Sequence, residues 1–268
     1  MKPTNKVIVV TGAGSGMGRA LVLALLKRGA SVAAVDLNES TLKETLALAG
    51  ATGKVSTYVA NVSDHQAVEA LPAAVITAHG AVDGIINNAG IIQPFVRLND
   101  LPYDAIERVL NVNLYGVIYM TKAFLPHLLT RPEAHIVNVS SMGGFFPVPG
   151  QSLYGASKAA VKLLTEGLYS ELIDTNVRVT AVFPGAIATN ISQNSGVTIR
   201  AAASAESSQS FPTTSAEDAA NIIIDGMERE LFQVYVGRDA KMMNLLYRLS
   251  PKRATRFMYG KMKGLLPG

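Results

Sequence analysis

From residue 6 onward the chain alternates short, almost wholly apolar runs with longer stretches of helical periodicity, and this alternation restricts the fold more than any other feature. The runs are KVIVV (6–10), SVAAVD (31–36), VSTYVAN (55–61), DGIINNAG (83–90), AHIVNVSS (134–141), VRVTAVFPG (177–185) and FQVYVG (232–237), most of them closing on turn or polar residues. They predict seven strands, separated mostly by helices over 17–28, 39–49, 64–79, 103–129, 152–174 and 215–229. Strands that are apolar throughout, rather than at every second residue, must be covered on both faces, as in a parallel sheet between helical layers. The expected class is α/β with a doubly wound sheet, whose ligands bind beyond the carboxyl ends of the strands where strand order reverses.

With 268 residues, 49% of them hydrophobic, the chain can bury one large core, and no linker divides it. Residues 1–237 are expected to form the main body, with the Ser- and Ala-rich segment 191–214 as a lid and 238–268 as an extension. The absence of cysteine excludes disulfides and thiolate zinc sites and fits a cytoplasmic setting. His65, His79, His127 and His135 have no metal-ligand spacing, so no metal is expected. No run has the length of a signal core or a membrane span, and the chain reads as soluble. Net charge is +4, but Arg238, Lys241, Arg248, Lys252, Arg253, Arg256, Lys261 and Lys263 face Asp239 alone in the extension, which carries +7 and leaves −3 for the rest. Basicity therefore belongs to the tail, and no nucleic-acid partner is expected.

The strand ends carry the chemistry. After the first strand, TGAGSGMG opens a helix with Gly12, Gly16 and Gly18 spaced G-x-x-x-G-x-G around Ser15 and Met17. Glycines there let the backbone turn tightly and approach a pyrophosphate at the positive end of the helix dipole, although a tight loop alone also needs small residues. Asp36 ends the second strand, where a carboxylate can accept both adenosine ribose hydroxyls and repel a 2′-phosphate; it could instead cap the next helix. Ser15, Leu37 and Asn38 bring no positive charge, so NAD(H) is expected over NADP(H). In SLYGASKAA, Tyr154 and Lys158 stand four apart and share one helix face, where an ammonium favours a phenolate.

These motifs, with NNAG at 87–90, N-x-x-G at 113–116, Ser141 and PG at 184–185, resemble in order and spacing the short-chain dehydrogenase/reductase family, from about Lys6 to Gly237. The resemblance implies a single-domain Rossmann-like oxidoreductase. It implies that Tyr154 is the general acid and base, that Lys158 lowers its pKa and binds the nicotinamide ribose, that Ser141 holds the substrate oxygen, and that Asn113 disturbs its helix and anchors a proton relay. Bringing a phenol from about 10 to about 7 takes roughly 4 kcal/mol of preference for the charged form. Taken singly, Ser141 could be a strand-end cap and Asn113 a solvent-facing polar residue. The resemblance further places Asn88, Ala89, Gly90 and Val112 beside the adenosine ribose, and Pro184, Gly185, Ile187 and Thr189 around the nicotinamide. Asn61 and Val62 depart from the family's usual Asp and apolar pair at the adenine, where an amide carbonyl can replace the carboxylate. Homodimers or homotetramers built on helices 103–129 and 152–174 are implied as well.

The substrate wall is expected from Ile91, Ile92, Phe95, Ser141, Gly143, Phe145, Phe146, Val148, Gln151, Tyr154 and the lid from Ile191. This set is apolar and lacks an arginine cluster, so a hydrophobic or aromatic secondary alcohol or ketone fits best, although Phe145 and Phe146 could face the core or a partner subunit. The competing functions are an NADPH-linked ketoreductase, such as one acting on 3-oxoacyl thioesters, and a non-catalytic dinucleotide-binding regulator. In the extension, Met242, Leu245, Leu246 and Leu249 stand at i, i+3, i+4 and i+7 and predict an amphipathic helix, followed after Pro251 by a second carrying Met258, Met262 and Leu265. Their apolar face could rest on an anionic membrane, on the substrate pocket or on another subunit, while basic helix faces are ordinarily just solvated.

Overall fold

The computed structural model describes residues 1–51, 53–197 and 213–266. Seven strands, β1 (Val7–Thr11), β2 (Ser31–Asp36), β3 (Val55–Val59), β4 (Gly84–Asn87), β5 (Ala134–Val139), β6 (Val177–Pro184) and β7 (Gln233–Val236), form one sheet in the order β3-β2-β1-β4-β5-β6-β7. Every pairing is parallel. The chain steps outward from β1 to β3, returns to pair β4 with β1, and continues the other way, so the reversal lies between β1 and β4. Above that point the loops after β1 and β4 diverge and open a crevice.

The longer helices are α1 (Gly16–Lys27), α2 (Glu39–Ala49), α3 (His65–His79), α4 (Tyr103–Leu110), α5 (Gly116–Leu128), α6 (Ser152–Leu172), α7 (Ala216–Glu228), α8 (Arg238–Leu249) and α9 (Pro251–Met262). The period of two along β1 sends Ile8 and Val10 to a core with Leu21 and Leu25 of α1 and Ile223 and Ile224 of α7. It sends Val7 and Val9 to a second core with Val75 of α3, Phe124 of α5 and Leu168 of α6. Both faces of β1 are thus buried, which is why its sequence is continuously apolar.

Three regions bear on what the sequence led one to expect. The helix expected over 103–129 carries a π-helical turn, Asn111–Tyr115, between α4 and α5, at the Asn113 for which the resemblance implied a disturbed helix. Asn113 in this turn is wholly buried, and Gly116 leaves it against Val62, where an added Cβ would stand 2.9 Å from a methyl carbon. In the expected lid, Ile191–Asn194 forms a single helical turn, and 198–212 lie outside the described residues. In the extension, α9 packs on the body through the expected Met258, Met262 and Leu265, but α8 does so with another face: Met243 and a partly buried Tyr247 join Met258 and Ala254 over Phe146. The stripe Met242, Leu245, Leu246 and Leu249 points away from the body, exposed by 47%, 60%, 39% and 74%.

Candidate active site

At the carboxyl ends of the strands lies a cavity of about 480 Å³, running from the β1–α1 turn and the end of β2, past β4, to the start of α6 and the loop after β6. Its first wall is the glycine turn. Gly12 (φ 67°) and Gly16 (φ 50°) occupy left-handed backbone that a side chain would strain. A Cβ on Gly18 would run into the Gly12 carbonyl oxygen, so only glycine lets α1 sit this close to the turn. Ser15, the N-cap of α1, makes no side-chain capping bond, and the helix start faces the cavity through Ser15, Gly16, Met17 and Gly18. This cradle, open and bordered by small residues, fits a pyrophosphate.

Asp36 stands at the rim. Its Oδ2 accepts from the Gly14 amide at 2.8 Å and its Oδ1 from the Asn38 amide at 3.0 Å. Helix α2 is capped by the Asn38 side chain, which accepts from the Thr41 amide at 3.2 Å, so the carboxylate is not that helix's cap. The nearby Arg19 bonds Thr45 at 3.1 Å and Glu44 at 2.7 Å, and is thereby held away from the cavity. Leu37, Asn61, Val62, Asn88, Ala89, Gly90 and Val112 complete this side.

The other end is built on α6. Ser141 follows β5; its Oγ accepts from the Gly143 amide at 3.0 Å, and the side chain hydrogen-bonds the Tyr154 phenol. Burial pushes the Tyr154 pKa up and the Ser141 bond opposes this, so on the chain's own groups the phenol moves opposite to the expected lowering. Lys158 is committed elsewhere: its buried Nζ donates to the Val139 carbonyl at 2.9 Å, and desolvation brings its pKa down to about 8. Gly90 keeps room there, since a Cβ on it would lie 3.1 Å from Lys158 Nζ and 3.3 Å from Asn113 Oδ1.

Asn113 lies behind this wall rather than on it. Its Oδ1 accepts from the Ile91 amide at 2.9 Å, and its Nδ2 donates to the Ile91 carbonyl at 2.9 Å and Ser157 Oγ at 3.0 Å. The π-helical turn thus ties the loop after β4 to α6. Of the expected substrate wall, Ile91, Ile92, Ser141, Tyr154 and Ile191 line the cavity. Gly143 sits directly behind the pair, its hypothetical Cβ 3.3 Å from the Tyr154 ring and 3.4 Å from Ser141 Oγ.

Phe145, Phe146 and Gln151 do not belong to this wall. Phe145 meets Phe183 and Tyr235 edge-on, and Phe146 is fully buried against Tyr247 and the methionines of α8 and α9. Their apolar surface is needed to dock the extension. Gln151 is buried and donates to the Gln93 carbonyl at 2.8 Å. Gln93, unnoticed in the sequence, caps α6 from outside: its Oε1 accepts from the amides of Leu153 at 2.7 Å and Tyr154 at 3.0 Å. Ser140 fastens the same helix, donating to the Lys158 carbonyl at 2.7 Å. No local pattern betrays either residue, because each acts on a helix many positions away.

The loop after β6 brings Pro184, Gly185, Ile187 and Thr189 to the cavity. It is held on one side by a parallel bridge of Ile187 with Thr214 and on the other by Asp239 of α8, whose Oδ2 accepts from the Ala186 amide at 2.7 Å. A Cβ on Gly185 or Gly237 would strike the buried Asp239 carboxylate. Asp239 stands in the first turn of α8, where the helix dipole stabilises a negative charge. Asn194 reaches across the cavity to donate to Ser15 Oγ at 2.9 Å.

The family model described as short chain dehydrogenase matches residues 6–199, and the chain belongs to that family. A Mycobacterium tuberculosis protein named as the oxidoreductase SadH is 39% identical over 256 residues, covering 91% of each chain. Among solved structures, a short-chain dehydrogenase/reductase from Burkholderia phymatum in complex with NAD superposes with a TM-score of 0.85 at 28% identity, covering 94% of this chain and 96% of that one. One from Burkholderia cenocepacia in complex with NADP gives 0.80 at 26% identity, covering 96% and 99%.

Proposed function

We propose that the chain is an NAD(H)-dependent oxidoreductase acting on a hydrophobic or aromatic secondary alcohol or ketone, with Tyr154 as general acid and base. The observation that carries this reading is the assembly of Ser141, Tyr154 and Lys158 on one wall of a crevice whose far end is the glycine cradle. The Burkholderia relatives, one with NAD and one with NADP, support a nicotinamide dinucleotide without choosing between them. The choice rests on Asp36, a carboxylate fixed by two backbone amides where a 2′-phosphate would have to sit, and on the engagement of Arg19 elsewhere.

When bound, the dinucleotide supplies or receives the hydride. The chain's own groups hold the substrate and move the proton. Ser141 and Tyr154, already hydrogen-bonded to each other, present two hydroxyls to one substrate oxygen. In reduction the phenol donates its proton to that oxygen; in oxidation the phenolate takes it back. Lys158 shares the wall with Tyr154; its pKa near 8 lies below that of the buried phenol, so its ammonium would favour the phenolate only where a bound dinucleotide brings the phenol down or holds the lysine charged. Gln93 and Ser140 fix the helix that carries both. The apolar Ile91, Ile92 and Ile191 border the substrate end. Exposed Tyr103 on α4 and Leu163 on α6 support pairing with a second copy across a two-fold axis.

A panel of aliphatic and aromatic secondary alcohols with NAD⁺, read by NADH absorbance, tests the reaction class; titration of NADH and NADPH by their own fluorescence tests the cofactor. The chain contains no tryptophan, so that signal is free of tryptophan emission. Dinucleotide binding without turnover on any alcohol or ketone would assign the chain a regulatory role instead.

A further inference from the structure

Helix α8 has two apolar faces and uses one. Ala240 and Met243 are buried against the body and Tyr247 packs edge-on to Phe146. About 100° per residue turns Met242, Leu245, Leu246 and Leu249 away from that seam, where they form a continuous exposed stripe. Cations border it one helical turn away: Arg238 precedes Met242 by four residues, Lys241 precedes Leu245 by four, and Arg248 follows Leu245 by three. Lys252, Arg253, Arg256, Lys261 and Lys263 continue the positive surface over α9 and the turn after it, and all eight cations are exposed. Among the described residues none of the eight pairs with a carboxylate, and the one acidic residue of the extension, Asp239, is buried beneath α8.

We propose that the outer face of α8 and α9 docks on an anionic lipid surface. Charge complementarity selects this occupant. A second copy would bring another stretch of net charge +7 against the first, whereas an anionic leaflet attracts each cation and accepts aliphatic side chains without asking for shaped pockets or hydrogen-bond partners. Lysine and arginine stems can lie along the leucine stripe while their heads reach the phosphates. Met242 and three leucines make up the α8 stripe, and α9 adds exposed Phe257 and Tyr259, side chains of the kind that settle at the headgroup level of a bilayer. Placement of the reactive groups is independent of this face, so the inference stands whatever the substrate.

The test uses the full chain with vesicles of phosphatidylcholine alone and with about one third phosphatidylglycerol, at low salt and at about 0.5 M salt. The protein is expected to sediment with the anionic vesicles only, with affinity falling at least about tenfold at high salt. Leu245→Glu with Leu249→Glu, both at exposed positions, should lower it at least about tenfold while NADH binding and melting temperature hold. Lys252→Glu with Arg253→Glu and Arg256→Glu should do the same. A wild-type protein that stays in the supernatant at low salt, or that binds both vesicle types equally, overturns the proposal. So does a Leu245→Glu, Leu249→Glu protein of smaller oligomeric size in light scattering, which assigns the stripe to a second copy. Capture by immobilised polyglutamate but not by vesicles assigns it to acidic proteins.

Discussion

At the amino ends of the strands, Asp83 accepts from the Val7 amide at 2.9 Å and from Arg131 Nε at 2.8 Å, and the N-terminal ammonium donates to the Met227 carbonyl at 3.0 Å. Nearby, Thr180 donates to the Leu231 carbonyl at 2.7 Å and His135 Nε2 lies 2.9 Å from the same hydroxyl, which makes Nε2 the protonated nitrogen. At the carboxyl ends, the buried Lys158 ammonium has a lone carbonyl at 2.9 Å, and Tyr154 has one neutral hydroxyl. Both ends bury polar groups. One joins opposite charges to each other and to the backbone, leaving His135 Nδ1 without a partner; the other gives its ionisable groups only neutral partners. Paired charges fix a sheet, whereas ionisable groups buried among neutral partners are where a protein keeps its chemistry.

Substitutions at the two ends should therefore fail in different measurements. Tyr154→Phe is expected to lower turnover about 10²–10⁴-fold, with NADH affinity and melting temperature unchanged; unaltered turnover removes the phenol from the proton transfer. Asp83→Ala should show the reverse, a loss of about 3–5 kcal/mol in urea unfolding with normal turnover per folded molecule. A comparable loss of activity would mean that the two ends are coupled. For His135, burial holds the folded-state pKa at about 3, so the unfolded chain takes up the proton first and stability falls as pH drops below 6.5. His135→Gln should flatten that acid slope in melting curves taken from pH 7 to pH 4.

Lys158 has the opposite window. Its folded-state pKa is about 8 against an ordinary 10.5, so the penalty of burying the charge is complete below pH 8 and is relieved as pH rises above it. Lys158→Met should accordingly raise unfolding free energy at pH 7 by up to about 3 kcal/mol, and the gain should shrink by pH 10 as turnover stays abolished. A variant less stable at pH 7 would show the lysine to be structural. Smallest of all, Asp36→Ala should raise the NADPH-to-NADH affinity ratio about tenfold, near 1.4 kcal/mol, in fluorescence titrations. An unchanged ratio would take the carboxylate out of cofactor choice.

The sheet was legible because its inner strands β1, β2, β4, β5 and β6 are buried on both faces, and the glycine turn because a backbone angle or a close approach forces its glycines. The same physics wrote Gly12, Gly16 and Gly18 into the sequence and put them on the cavity. Phe145 and Phe146 were misplaced because an aromatic beside a catalytic strand looks the same whether it faces a substrate or a docking helix. The buried face of α8 was missed for a related reason: Ala240, Met243 and Tyr247 make a weaker pattern than the leucine stripe beside them, whereas Met258, Met262 and Leu265 of the following segment were read correctly. Gln93 acts across sixty residues on the amides of α6, and no periodicity records such a bond. The phenol's direction of shift depends on burial around Tyr154, which a spacing of four cannot convey.

The recess that Gly185 and Gly237 leave for Asp239 bears on how this chain can be recombined. The extension is keyed to the body by one carboxylate and two missing methyl groups, on two separate stretches of sequence, Gly185 after β6 and Gly237 with Asp239 at the start of α8. A chimera that borrows a relative's C-terminal segment inherits the key only if it also carries the lock. Exchange at the end of β7 should succeed when Gly185, Gly237 and Asp239 travel as a set, and should loosen the loop around Ile187 when they do not.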